Sequence, residues 1–255
     1  LKIKSAEWEV WYLRGWALYR LGRLEDSLAS YEKALKINPT DKLCDLNGLI
    51  LFNLKQYEEA IESYNKGLKI NPENDALWGH RGDALSALGL LEEALTSYQK
   101  ALEINPDNIA IWEHHGDTLA KLGLYGEALT SYEKALEINP TDNLWNIYGL
   151  TLLVLERYES ALESFDKGLK INPENDALWG HRGDALTSLG LLEEALTSYE
   201  KALEINPTDD LWNIHGLTLI LLERYEAAIE SFDKGLKINP ENDALWEHRG
   251  DALSN

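Results

Sequence analysis

Basic residues are scarce in this 255-residue chain, where 24 Lys and Arg stand against 44 Asp and Glu, a formal net charge of -20. A polyanion of that size is repelled by phosphate backbones and anionic lipid surfaces, which excludes nucleic acid and membrane as expected partners. Cysteine is nearly absent. Cys44 has no second thiol to pair with, which rules out an internal disulfide framework and fits a reducing, cytoplasmic compartment. No apolar run approaches the roughly 18 residues of a membrane span. The chain opens on Leu1 without a methionine and stops part-way through its last repeat, so it reads as a piece excised from a longer protein.

Proline is confined to seven places, all in one phrase. Pro39, Pro72, Pro106, Pro140, Pro173, Pro207 and Pro240 each follow an Ile-Asn pair, at intervals of 33, 34, 34, 33, 34 and 33 residues. A constant period of that size marks a repeat array. Such arrays are surfaces for holding other molecules and rarely house chemistry.

Residues 75–108 show how one unit folds. Asn74 or Asp75 can cap a first helix whose Leu77, Trp78, Leu85 and Leu88 recur at helical spacing. Gly89 supplies a left-handed residue to end it. Glu92 and Glu93 then suit the first turn of a second helix, where the dipole favours anions. That helix repeats Ala94, Leu95, Tyr98, Ala101 and Leu102 at three- and four-residue steps and stops at Asn105-Pro106. Small residues at Gly82, Ala94 and Ala101 let the two helices approach closely. Residues 1–6 offer no cap or periodic partner and are expected to be loosely held.

The series Trp78, Gly82, Leu85, Ala94, Tyr98, Ala101 and Pro106 resembles the tetratricopeptide repeat pattern, with Arg81 where Leu is usual. The register fits again from Trp11, Trp112, Trp145, Trp179 and Trp212, and more weakly in the second unit, where Cys44 replaces the tryptophan. The resemblance implies an all-α fold, a right-handed superhelical solenoid of antiparallel helix pairs. It divides the chain into a lead-in at 1–7, seven units at 8–40, 41–74, 75–108, 109–141, 142–175, 176–208 and 209–242, and a capping helix at 243–255.

In this family the first helices line the concave surface. Carried over by register, that groove comprises Tyr12, Trp16 and Tyr19 in the first unit. It continues with Leu49 and Phe52, Asp83, Glu113 and Asp117, Asn146, Leu150 and Leu153, Asp184, Asn213, Leu217 and Ile220, and Glu247 and Asp251. Units with apolar first helices therefore alternate with acidic ones, a surface suited to an extended or helical peptide carrying hydrophobic anchors and Lys or Arg. The apolar side chains could instead pad the contacts between successive first helices. Near-identical stretches of the chain differ at eleven places, seven of them at first-helix positions expected to face the groove. Relatives that grip chaperone C-termini use cations and amides where this chain has Tyr12, Trp16, Leu46, Ala76 and His80, so that ligand is not expected.

Four histidines stand one turn before an aspartate: His80/Asp83, His114/Asp117, His181/Asp184 and His248/Asp251. Hydrogen-bonded or solvated pairs are the expectation, because a metal needs three or four converging ligands. No nucleophile with a base and no Gly-rich phosphate loop can be placed, so neither enzyme activity nor a cofactor is expected. The leading reading is a protein- or peptide-binding scaffold. A sensor or regulatory arm of a larger signalling protein, a self-associating array stacked end to end, and an engineered repeat protein remain alternatives.

Overall fold

The computed structural model describes the backbone of residues 2–254 and the side chains of residues 7–254. Fifteen helices and no strand occur among the described residues. The chain divides into two compact units between Ile138 and Asn139.

The first unit holds α1 (Lys2–Arg20), α2 (Leu24–Ile37), α3 (Asp41–Asn53), α4 (Tyr57–Ile70), α5 (Asp75–Ala87), α6 (Leu91–Ile104), α7 (Ile109–Lys121) and α8 (Tyr125–Ile138). The second holds α9 (Asp142–Val154), α10 (Tyr158–Ile171), α11 (Asp176–Ser188), α12 (Leu192–Ile205), α13 (Asp209–Leu221), α14 (Tyr225–Ile238) and α15 (Asp243–Leu253). In both units each odd-numbered helix packs on the even one that follows it, and that helix packs on the next odd one. First helices also touch first helices: α3 on α5 and α5 on α7 in the first unit, α9 on α11 and α13 on α15 in the second. Helical backbone starts at Lys2, within the lead-in expected to be loose; Leu1 lies outside the described residues.

Local chemistry sets the helix ends. Asn74 Oδ1 accepts the Leu77 N–H at 3.1 Å, and Thr40, Thr141 and Thr208 cap their helices in the same way. Gly89 follows α5 with φ of 79°, a conformation that costs a β-carbon-bearing residue free energy. The apolar units place Lys55, Glu156 and Glu223 at the same turn with φ of 61°, 56° and 58°.

Inside each hairpin the second-helix aromatic lies flat on a first-helix glycine. A β-carbon at Gly82 would stand 2.4 Å from the Tyr98 ring, closer than any real contact. Tyr98, Ala94 and Ala101 are buried beneath it. The Ile-Asn-Pro phrase also ties the end of a repeat to its own start. Asn71 and Asn74 donate to Asp41 Oδ2, Asn172 and Asn175 to Asp142, and Asn239 and Asn242 to Asp209. These amides hold all three carboxyls below the usual carboxylate range.

Candidate functional site

In the first unit the residues expected to line the groove fall into rungs along α1, α3, α5 and α7. Trp16 and Tyr19 are 48% and 44% exposed, with Arg20 over the Trp16 ring. Tyr12 turns inward and packs near Tyr31, with ring centroids 6.1 Å apart. Leu49 and Phe52 are half-buried, and Phe52 meets Tyr57 edge-on. Asp83 accepts the Tyr98 hydroxyl at 2.9 Å and lies 2.8 Å from His114 Nδ1; Asp117 accepts the Tyr132 hydroxyl at 2.8 Å. Burial pushes the Glu113 carboxyl up, opposed by His114 and reinforced by Asp117. Phe52, Asp83, His114, Asp117, Thr118 and Lys121 border an open pocket of about 340 Å³.

The second unit presents the same positions along α9, α11, α13 and α15. Leu150, Leu153, Leu217 and Ile220 are half-buried. Leu217 and Ile220 pack against the core formed by Phe232, Leu236 and Leu245, so these side chains support the fold and show part of their surface. Asp184 accepts the Tyr199 hydroxyl at 2.9 Å, and burial raises its carboxyl. Asn146 and Asn213 bond His181 and His248, at 2.7 and 2.8 Å. Glu247 and Asp251 are exposed. Two apolar side chains missing from the expected set, Val154 and Leu221, are 57% and 61% exposed at the ends of α9 and α13. Their signal was available, since both positions differ between near-identical copies. His215, another such difference, is buried and bonds Ser231 of its own hairpin.

The histidine pairing differs from the sequence expectation. Each ring reaches back to the preceding first helix rather than along its own. His80 bonds Asp45 at 2.7 Å, and His181 and His248 bond the asparagines at the equivalent place, all 35 residues earlier. For His114 that place is Gly79, which has no side chain, so the ring takes Asp83 one turn further on. The adjacent His115 points to Ser131 of its own hairpin, 2.9 Å away. Among the described residues no three His, Cys, Asp or Glu side chains gather as a metal site.

The partners set the protonation. Burial works against the charge on His80, but the bond and charge of Asp45 outweigh it and raise the pKa above the usual 6.5. The Asp83 bond raises His114 likewise. His181 faces an amide, so burial wins and its pKa falls. Burial takes His215 down to about 4, with Lys234 adding to the effect.

A covariation passed over in the sequence explains the rung chemistry. Asp83, Asp117 and Asp184 each face a tyrosine 15 residues on, whereas Leu150 and Leu217 face Phe165 and Phe232 at that spacing. Leu49 departs from this rule: it is paired with Tyr64, whose hydroxyl is buried without a partner.

No helix among the described residues is long and apolar enough to cross a membrane. Comparison with curated proteins finds no match. Solved structures do match. YrrB, described as a TPR protein with an unusual peptide-binding site, is 26% identical with a TM-score of 0.63, covering 74% of this chain and 99% of its own. A tetratricopeptide repeat protein from Parabacteroides merdae is 21% identical with a TM-score of 0.67, covering 96% and 98%. The C-terminal part of a TPR repeat-containing protein from Cytophaga hutchinsonii is 17% identical with a TM-score of 0.79, covering 93% and 98%. Tetratricopeptide repeat family models match residues 8–41, 113–176, 149–210 and 210–242, and a TPR repeat model matches 48–89 and 82–123. With family models matching most of residues 8–242 and hairpins packed in succession within each unit, the chain belongs to the tetratricopeptide repeat family.

Proposed function

We propose that the chain is a non-catalytic scaffold that binds a protein or peptide along the face of its first helices. The carrying observation is the pair of rung types. Asp83 is held by Tyr98 and His114, so its carboxylate is oriented before any ligand arrives. Phe52 borders the same pocket and offers apolar surface beside that charge. A fixed carboxylate next to half-open apolar side chains suits a segment carrying Lys or Arg between hydrophobic anchors. The peptide-binding site described for YrrB supports this reading by likeness of fold and sequence. The buried, unpaired Cys44 accords with a cytoplasmic setting.

Fluorescence anisotropy with labelled peptides tests it. A peptide alternating Leu with Lys should bind, and its Glu-for-Lys counterpart should not. Equal binding of the two, or of neither, removes the proposal.

End-to-end self-association is a second reading, favoured by the exposed Val10 and Leu13 on α1. Leu77, at the register of Val10, is fully covered. Sedimentation velocity over a range of concentrations decides between monomer and assembly.

A further inference from the structure

The second repeat lacks its tryptophan. In the two other repeats of its type, that residue is Trp145 or Trp212, and a lysine of the following helix stands over the ring: Lys167 at 4.6 Å and Lys234 at 4.5 Å. Tyr148 and His215 meet the same rings edge-on. The second repeat keeps the lysine as Lys66 but has Cys44 in place of the ring and Asn47 in place of its edge partner.

The backbone has not closed over the loss. A β-carbon built at Gly67 would lie 3.0 Å from Cys44 Cβ, and one at Gly168 would lie 3.3 Å from Trp145 Cβ, so the cysteine stem starts where the tryptophan stem does. Beyond it lies an open pocket of about 460 Å³ lined by Leu35, Cys44, Asn47, Ser63, Lys66 and Ile70. The equivalent pocket in the second unit, where Trp212 forms a wall, measures about 320 Å³.

A second observation points to a ligand. Asn47 is 6% exposed and lines this pocket; its Oδ1 lies 3.0 Å from Ser63 Oγ, while its Nδ2 is buried without a partner. A buried amide group left unpaired is destabilising, and a ligand that pairs it recovers that loss. Turned over, the same amide would present an unpaired oxygen instead. Lys66, for its part, borders the space that an aromatic ring fills in the sister repeats.

We propose that this pocket is a socket for a tryptophan side chain carried by a partner polypeptide, which seats its indole where Trp145 and Trp212 lie in the sister repeats. Lys66 then faces the ring as Lys167 and Lys234 do, and the Asn47 amide meets its edge. The walls come largely from α2 and α4, so the proposal does not depend on the first-helix face being the peptide site.

The test is a ¹H–¹⁵N NMR titration of the whole chain with the blocked tripeptide Gly-Trp-Gly, with Gly-Leu-Gly and free tryptophan as controls. Saturable shifts of the Asn47 side-chain amide with the Trp tripeptide alone are the expected result. Cys44→Trp should fill the socket, raise the thermal midpoint and weaken tripeptide binding at least tenfold. Lys66→Ala, exposed and outside the core, should weaken it several-fold with the midpoint unchanged, and it decides the matter if Cys44→Trp does not fold. Absent or unsaturable shifts, equal response to the Leu tripeptide, tighter binding of free tryptophan, or binding undiminished in either variant would each overturn the proposal.

Discussion

Tyr98 donates its hydroxyl to Asp83 Oδ1 across 2.9 Å, from the buried floor of one hairpin to its open first-helix face. The bond lets a half-buried carboxylate stand on an apolar core, and a buried tyrosine keep a partner. Asp83→Leu should therefore cost about 1–3 kcal/mol by stranding the Tyr98 hydroxyl. Adding Tyr98→Phe recreates the pair found at Leu150 and Phe165 and should recover the share due to Tyr98, leaving only the loss of the His114 contact. Urea unfolding of the two single variants and the double variant measures this; additive losses would dissolve the pairing.

Binding on the first-helix face is best tested with that rule respected. Leu150→Asp alone places a carboxylate above Phe165, which cannot donate to it, whereas Leu150→Asp with Phe165→Tyr supplies the donor. The double variant should stay folded and bind the Leu/Lys peptide more weakly, by about 1–3 kcal/mol for one lost apolar anchor. Asp83→Lys should weaken the same peptide less as salt rises. Glu163→Lys, exposed on α10, should change little. A folded double variant with undiminished affinity would remove the face from consideration.

His80, His114, His181 and His215 should titrate in two groups. His80 and His114, each beside an aspartate, should keep their protons above the usual 6.5, and His215 should stay neutral down to about 4. A raised folded pKa contributes stability that is full below 6.5 and lost as pH climbs through the folded value. A lowered one, as at His181 and His215, contributes above 6.5 and is lost as pH falls. Asn146→Asp should carry His181 from the second group into the first. NMR titration of the ring protons reads all of this, and an unmoved His181 in that variant would count against the cross-helix pairing.

Asp142 accepts from Asn172 and Asn175, and its pKa lies below 3.8. Its charge therefore stabilises the fold above pH 3.8, and the contribution disappears as pH drops through the depressed value. Asp142→Asn keeps an acceptor but no charge. The thermal midpoints of wild type and variant should differ at pH 6 and draw together as pH falls from 3.8 through the depressed value. A gap that does not narrow as pH falls below 3.8 would assign the effect to packing.

Glu156 and Glu223 occupy left-handed backbone where four other turns use glycine. Exchanging either for glycine relieves strain of about 1–2 kcal/mol and adds unfolded-chain entropy of about 0.4–1 kcal/mol. A net gain of roughly 0–1.6 kcal/mol is expected. Gly89→Ala should lose about 1 kcal/mol. Denaturant midpoints of the three variants check the sign.

The helices, their ends and the repeat period were legible because they depend on neighbours in sequence: an Asn cap three residues from its N–H, a glycine at a turn, a proline that stops a helix. The Asp83–Tyr98 rule was legible in principle, at a constant spacing of 15, but only once the hairpin shows that this spacing spans two facing helices. Asn105 shows the limit. Its place before Pro106 marks a helix end, yet its side chain is spent on Asp75, 30 residues earlier at the start of the same repeat.

The chain's own order of residues decides that it forms helical hairpins of the tetratricopeptide type, since periodicity, caps and small-residue notches act within one unit of some 34 residues. Which side chains answer one another across units was decided by packing alone. His80 takes Asp45 and not Asp83 because neighbouring first helices bring the earlier carboxylate within 2.7 Å of the ring. His114 turns to Asp83 because Gly79 offers nothing to bond. The half-burial of Leu150 and Leu217, the bound tyrosine beneath Asp184 and the open place beside Cys44 have the same origin: each depends on what a second helix sets opposite, and that distance exists only in the folded chain.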